Sequence, residues 1–216
     1  MRILFYGDSI TDMNRSYSDV KAYDGLGVGY VRSLADKLIG DEPKHELINK
    51  GVGGNRIVDL YSRIKVDCWN FEPDLISILI GVNDVWHELG GHRNGVEIDR
   101  FEKVYRMIIE DTKKRLPNVK MMLLEPFVME GSATKGNENE PDRYERFLEV
   151  YEYAKVVKKL AEEYGLVFVP LQEKFNEKAK VNGVEFYLYD GVHPWFGGAK
   201  LIADEWYKVF EENFDK

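Results

Sequence analysis

Three short segments of this 216-residue chain carry residues that could do acyl chemistry. They are Gly7-Asp8-Ser9, Gly81-Val82-Asn83-Asp84 and Asp190-Gly191-Val192-His193. A hydroxyl nucleophile, an imidazole base with a carboxylate to orient it, and an uncharged amide donor are the parts that acyl transfer through a covalent intermediate needs. Each segment also has a plainer explanation. Ser9 could simply cap a helix, Asn83 could open an Asx turn, and an Asp-x-x-His could be a capping pair or half of a metal site. A fourth segment, Asn49-Lys50-Gly51-Val52-Gly53-Gly54-Asn55, offers glycines that let backbone N–H groups approach a ligand closely. It too could be a mere turn, or a phosphate cradle, although no Lys-Ser or Lys-Thr follows to complete a P-loop. The chain has no Gly-x-Ser-x-Gly, so the nucleophile elbow of the α/β-hydrolases is absent.

The elements around these segments predict that they share one edge. Residues 3–6, 45–49, 75–80, 119–124 and 166–169 read as short apolar runs bounded by Gly or Pro, hence buried strands. Helical spacing of apolar residues marks 30–39, 57–64, 101–116, 143–164 and 199–210. The alternation of strand and helix implies a parallel sheet covered on both faces. The expected fold is therefore α/β, a three-layer αβα sandwich of the flavodoxin-like type with a five-stranded parallel sheet. With no repeat and no linker, residues 1–216 read as a single domain. Residues 86–97 and 128–142 read as long loops over the rim where the chemical segments lie, and the behaviour of the second is left open between lid, subunit contact and disorder.

The four segments together, in this order, resemble the SGNH or GDSL hydrolases, and the resemblance runs from Gly7 to the last helix. It implies that Ser9 is the nucleophile and that Asp190 and His193 complete a catalytic triad. It further implies an oxyanion hole made by the N–H groups of Ser9 and Gly54 and by the side chain of Asn83. Gly81-Val82-Asn83-Asp84-Val85-Trp86, Glu125-Pro126-Phe127 and Val192-His193-Pro194 look like the branch that holds intracellular acetylxylan and related carbohydrate acetylesterases. The resemblance implies no cofactor and no metal. Asp8, Trp86 and Trp195 are expected to face the substrate, the two indoles by stacking on a sugar or walling a small acyl pocket; packing the loops is the alternative for both rings. Lysophospholipase, thioesterase and platelet-activating-factor acetylhydrolase-like activities remain as alternatives, as does a flavodoxin-like phosphate- or nucleotide-binding module.

Composition narrows the partners. A net charge of -8 opposes binding to nucleic acid or to an anionic membrane surface. The expected partner is a small-molecule or oligosaccharide ester, with a homo-oligomer left open. The lone cysteine, Cys68, reads as a buried thiol and allows no internal disulfide, which suits a reducing compartment. The first apolar run is too short for a signal-peptide core, and the chain reads as cytoplasmic unless a leader has been removed. His87-Glu88-Leu89-Gly90-Gly91-His92 has one residue too many for a His-Glu-x-x-His metal helix, and its glycines oppose a helix, so it reads as loop.

Overall fold

A computed structural model describes residues 1–18, 24–39, 44–89 and 93–214 of the protein. The strands are β1 (Arg2–Gly7), β2 (Glu46–Gly51), β3 (Leu75–Leu79), β4 (Lys120–Leu124) and β5 (Val167–Val169). The helices are α1 (Ser9–Asp12), α2 (Tyr30–Leu38), α3 (Ile57–Asp67), α4 (Val82–Leu89), α5 (Ile98–Arg115), α6 (Arg143–Phe147), α7 (Val150–Tyr164), α8 (Gln172–Asn182) and α9 (Phe196–Phe214). All strand pairs are parallel, in the order β2-β1-β3-β4-β5. The sheet and its flanking helices make the three-layer α/β sandwich expected from the alternation.

Adjacent residues of β1 show how the layers form. Side chains alternate across a strand. Phe5 meets Tyr30 of α2 and Trp206 of α9 on one face, at ring separations of 5.9 and 5.5 Å. Tyr6, pointing the other way, donates its hydroxyl proton to the carbonyl of Leu60 in α3 at 2.7 Å. On that second face α3 packs on α5 and α5 on α7. Both faces of the central strands are covered, which is why β3 reads as an apolar run with a single polar residue. Ser77, its one polar residue, accepts a 2.9 Å hydrogen bond from the indole N–H of buried Trp206 and so ties α9 to the middle of the sheet.

The register aligns the carboxyl ends of the strands: Gly7 lies beside both Gly51 and Leu79, Leu79 beside Leu124, and Leu124 beside Val169. Between β1 and β3 the strand order reverses, and such a switch point opens a crevice at the carboxyl edge of open α/β sheets. Gly7 is small here for a reason of space rather than of turn geometry. A methyl group on it would lie 2.4 Å from the Leu79 carbonyl oxygen and 2.5 Å from the Thr11 hydroxyl.

Two expectations need correction, and one helix had no counterpart in the sequence reading. The 86–97 stretch is not all loop, because α4 runs through Trp86 to Leu89. Val82, Val85 and Leu89 recur at helical spacing and are buried, and that periodicity outweighs the glycines that follow. Gly90, Gly91 and His92 lie outside the described residues. The single helix expected over 143–164 is two helices, broken where Glu149 N–H bonds to Arg146 O instead of continuing the i to i−4 ladder. The break lets Phe147 turn toward Trp86 of α4 while Tyr153 packs on Phe101 of α5. Finally, α8 carries only Gln172 and Phe175 buried, too few apolar residues for its period to show in the sequence. Cys68 is buried, and burial pushes its thiol up to about 12, as befits a packing residue.

Ser77→Ala would leave the Trp206 indole N–H buried without a partner, a loss of about 1–3 kcal/mol. Urea unfolding should show a lower midpoint with an unchanged slope, since the surface exposed on unfolding stays the same.

Candidate active site

The end of β1 delivers Ser9 as the first residue of α1. Asp8 caps that short helix, its Oδ1 accepting from Ile10 N–H at 2.9 Å. Asp8 is fully buried behind Ser9, so it does not face a substrate as its sequence position suggested. The cap directs its carboxylate inward, where Oδ2 finds no hydrogen-bond donor among the described residues. Burial, opposed in part by the Ile10 N–H, pushes the Asp8 carboxyl up to about 7.

Ser9 Oγ lies 2.9 Å from Nε2 of His193, and Nδ1 of the same ring lies 2.6 Å from Asp190 Oδ2. The turn that carries the pair closes on itself. Leu188 and Pro194 form an antiparallel bridge, and Tyr189 N–H donates to His193 O at 3.1 Å. At its tip, Asp190 Oδ1 accepts from Val192 N–H at 2.9 Å and from His193 N–H at 2.7 Å. Burial would raise the Asp190 carboxyl, but these donors and the His193 side chain hold it below its ordinary value. An ionised carboxylate can only accept, so Nδ1 must carry a proton. In the neutral ring Nε2 is then the acceptor for the Ser9 hydroxyl. Burial alone would lower the His193 pKa, but the hydrogen bond and charge of Asp190, joined by the charge of Asp8, raise it.

The 128–142 segment has a structural part. Gln172 of α8 grips it at both polar groups of Val128, accepting from its N–H at 2.9 Å and donating to its carbonyl at 3.1 Å. Met129 N–H then donates to Gly191 O at 2.9 Å and Ala133 N–H to Asp190 O at 3.0 Å. Thr134, itself buried, ties the loop to itself through Met129 O at 2.7 Å. This part of the loop braces the Asp190 turn and belongs to the rigid frame.

Across the crevice stands the glycine segment after β2. Gly53 N–H donates to Asp12 Oδ2 at 3.0 Å, and Tyr17 donates its hydroxyl proton to the same oxygen. Gly54, with φ of 77°, has no acceptor for its N–H among the described residues, and neither has Ser9. A methyl group on Gly53 would lie 3.9 Å from Ser9 Cβ, so the segment runs directly past the hydroxyl. Asn83 of α4 donates one amide proton to Asn55 O at 3.1 Å, which leaves its other N–H uncommitted. Asp84, the next residue, accepts from Ile57 N–H at 3.0 and 3.3 Å and so fixes the start of α3 against α4. Two unpaired N–H groups and an amide, set beside a hydroxyl with a base on it, can stabilise an anion formed where that hydroxyl attacks.

Aromatic rings border this arrangement. Trp86 stands 5.8 Å from the His193 ring and is backed by Phe147 at 5.5 Å. Tyr189 stacks on the His193 ring at 5.6 Å with planes 16° apart. Trp195 lies one ring further out, edge-on to Tyr189 at 6.1 Å and 51% exposed. Sequence reasoning passed over Tyr189, Phe147 and Asp12, and it weighed His87 only as a metal ligand before reading it as loop. For His87 the signal was present: it follows Asn83 by four residues, one helical turn. Among the described residues no group of His, Cys, Asp and Glu side chains is placed to hold a metal ion. Nor is any described helix long and apolar enough to cross a membrane.

A parallel αβα sandwich with a hydroxyl, an imidazole and a carboxylate in line at its switch point suits acyl transfer. The family model described as the GDSL-like lipase/acylhydrolase family matches residues 5–201, and the chain belongs to that family. It is a carboxylic ester hydrolase. An acetylxylan esterase of Geobacillus stearothermophilus is 35% identical over 208 residues, 94% of this chain and 90% of that protein. The crystal structure of Axe2, an acetylxylan esterase of the same organism, superposes with a TM-score of 0.80 at 33% identity, over 96% of this chain and 93% of that one. A crystal structure from Parabacteroides merdae, assigned to the GDSL-like lipases, gives a TM-score of 0.85 at 34% identity over 96% and 94%. Solved variants of Axe2 described as catalytic mutants replace a serine, an aspartate and a histidine.

The site implies an order of titration. Burial, with Arg56 nearby, lowers His87 below the usual histidine value, whereas His193 is raised above it. In an NMR titration of the four histidines, His193 should lose its proton above pH 6.5 and His87 below it. Asp8→Asn removes a negative charge from beside the imidazolium and should move the His193 midpoint to lower pH. An unmoved midpoint would show that Asp8 does not act on the ring.

Proposed function

We propose that the protein is a serine esterase that removes acetyl groups from xylo-oligosaccharides or related carbohydrates, with Ser9, His193 and Asp190 as its triad. The observation that carries this reading is the line of contacts from Ser9 Oγ through His193 to Asp190, at 2.9 and 2.6 Å. The likeness to an acetylxylan esterase over most of both chains supports the substrate class. The mutated residue types in the Axe2 variants support the roles.

In this reading Ser9 Oγ attacks the ester carbonyl carbon as His193 Nε2 takes its proton. The carbonyl oxygen becomes an oxyanion held by the N–H groups of Ser9 and Gly54 and by the Asn83 amide. The imidazolium, stabilised by Asp190, returns the proton to the departing sugar oxygen, leaving acetyl on Ser9. A water then repeats the sequence with His193 as base, and acetate leaves. Trp86, packed between the imidazole and Phe147, walls the site on the side of α4 and suits a short acyl group. Trp195 stands farther out, where an oligosaccharide chain would pass.

Acetate release from acetylated xylo-oligosaccharides tests the reaction and the substrate class together. Ser9→Ala should lower kcat by roughly 10⁴–10⁶-fold, and near-wild-type turnover would rule out the nucleophile. Asn83→Ala should cost roughly 10²–10³ in kcat; a loss below tenfold, with Ser9 still essential, would leave the asparagine a structural residue. The acid limb of kcat/KM should fall with an apparent pKa above 6.5, because the base works unprotonated and its proton is held tightly. A profile flat to about pH 4 would exclude a histidine base.

A further inference from the structure

Asn83 and His87 lie one turn apart on α4, and residues at that spacing leave the same face of a helix. Both therefore overhang the glycine segment after β2. Asn83 reaches the carbonyl of Asn55. The His87 imidazole covers Gly54: a methyl group there would lie 3.9 Å from both its Cε1 and its Nε2. The ring edge is thus beside Gly54, the residue whose backbone N–H has no acceptor among the described residues.

The polar groups around the His87 ring are paired with one another. Asp59 takes two hydrogen bonds from the Arg56 guanidinium, at 2.9 and 3.0 Å, and that group spends a third on the carbonyl of Asn94 at 2.5 Å. Among the described residues no group hydrogen-bonds either His87 ring nitrogen, and the ring is only partly buried. Burial and the Arg56 charge keep it neutral near pH 7, so one nitrogen donates and the other accepts. A sugar hydroxyl presents the same pair of capacities.

We propose that His87 is a specificity-determining residue that hydrogen-bonds a hydroxyl of the carbohydrate next to the acetylated oxygen. This rests on the deacetylase reading above. Trp86 and His87, adjacent on α4, then divide the work: the indole lies against His193, and the imidazole reads the sugar beside Gly54. An aryl acetate has no hydroxyl to offer and gains nothing from the contact.

The test compares kcat/KM for acetylated xylobiose with that for p-nitrophenyl acetate in the wild type, His87→Ala and His87→Gln. The ratio of the two should fall about 3- to 10-fold in the alanine variant, the loss of one hydrogen bond. Most of the fall should appear in KM for the sugar. Glutamine, which keeps a donor and an acceptor, should recover part of it. An unchanged ratio in the alanine variant overturns the inference, as does a glutamine variant no better than alanine. If the wild type releases no acetate from the sugar, the deacetylase reading falls and takes this inference with it. If the wild type is active and the ratio does not move, only the role of His87 falls.

Discussion

The half-buried carboxylate of Asp190 sets the state of the groups around it. It accepts two backbone N–H groups of its own turn and the Nδ1–H of His193. Those donors keep it charged despite burial. Its charge fixes the tautomer of the ring and leaves Nε2 facing Ser9. The turn that performs this is short, and its backbone is held from outside by the 129–133 stretch, which is itself held by Gln172. A loop in sequence terms is here part of the rigid frame, because its polar backbone groups are spent on the neighbouring turn.

Asp8 extends the same electrostatic arrangement. Its cap on α1 is ordinary helix chemistry, but the fully buried carboxyl behind Ser9 is costly to charge. It titrates near neutrality, and its charge acts on His193. Acidic groups thus act on the imidazole from its own turn and from the end of β1, and both favour its proton. An imidazole held this way keeps its proton to higher pH than a free one.

The crevice owes its position to the reversal of strand order between β1 and β3. Ser9 leaves one of those strands and Asn83 the other, so the hydroxyl and the amide flank the opening without any long-range adjustment. The glycine segment after β2 completes the wall. Its Gly53 N–H is spent on Asp12, and that pairing, more than the glycine count, distinguishes Gly54 as the residue with an N–H to offer. The likeness to acetylxylan esterases extends across this whole framework.

Much of this was legible before any coordinates. The strands announced themselves through apolar runs ended by Gly or Pro, because parallel strands covered on both faces need apolar residues throughout. Ser9, Asn83, Asp190 and His193 stood out because they follow or close those runs. Strand β2 was less clear, since Asn49 is buried and spends its amide on the carbonyls of Thr11 and Leu26. The residue types and their order along the chain determined the fold class and the candidate chemistry, both of which are local or periodic properties. Only the tertiary structure decided that Asp8 turns inward, that Gly53 is spent while Gly54 is not, that α6 and α7 part at Glu149, and that His87 lies over Gly54. Each of these depends on what a group meets from a distant part of the chain, and spacing along a sequence carries no record of such partners.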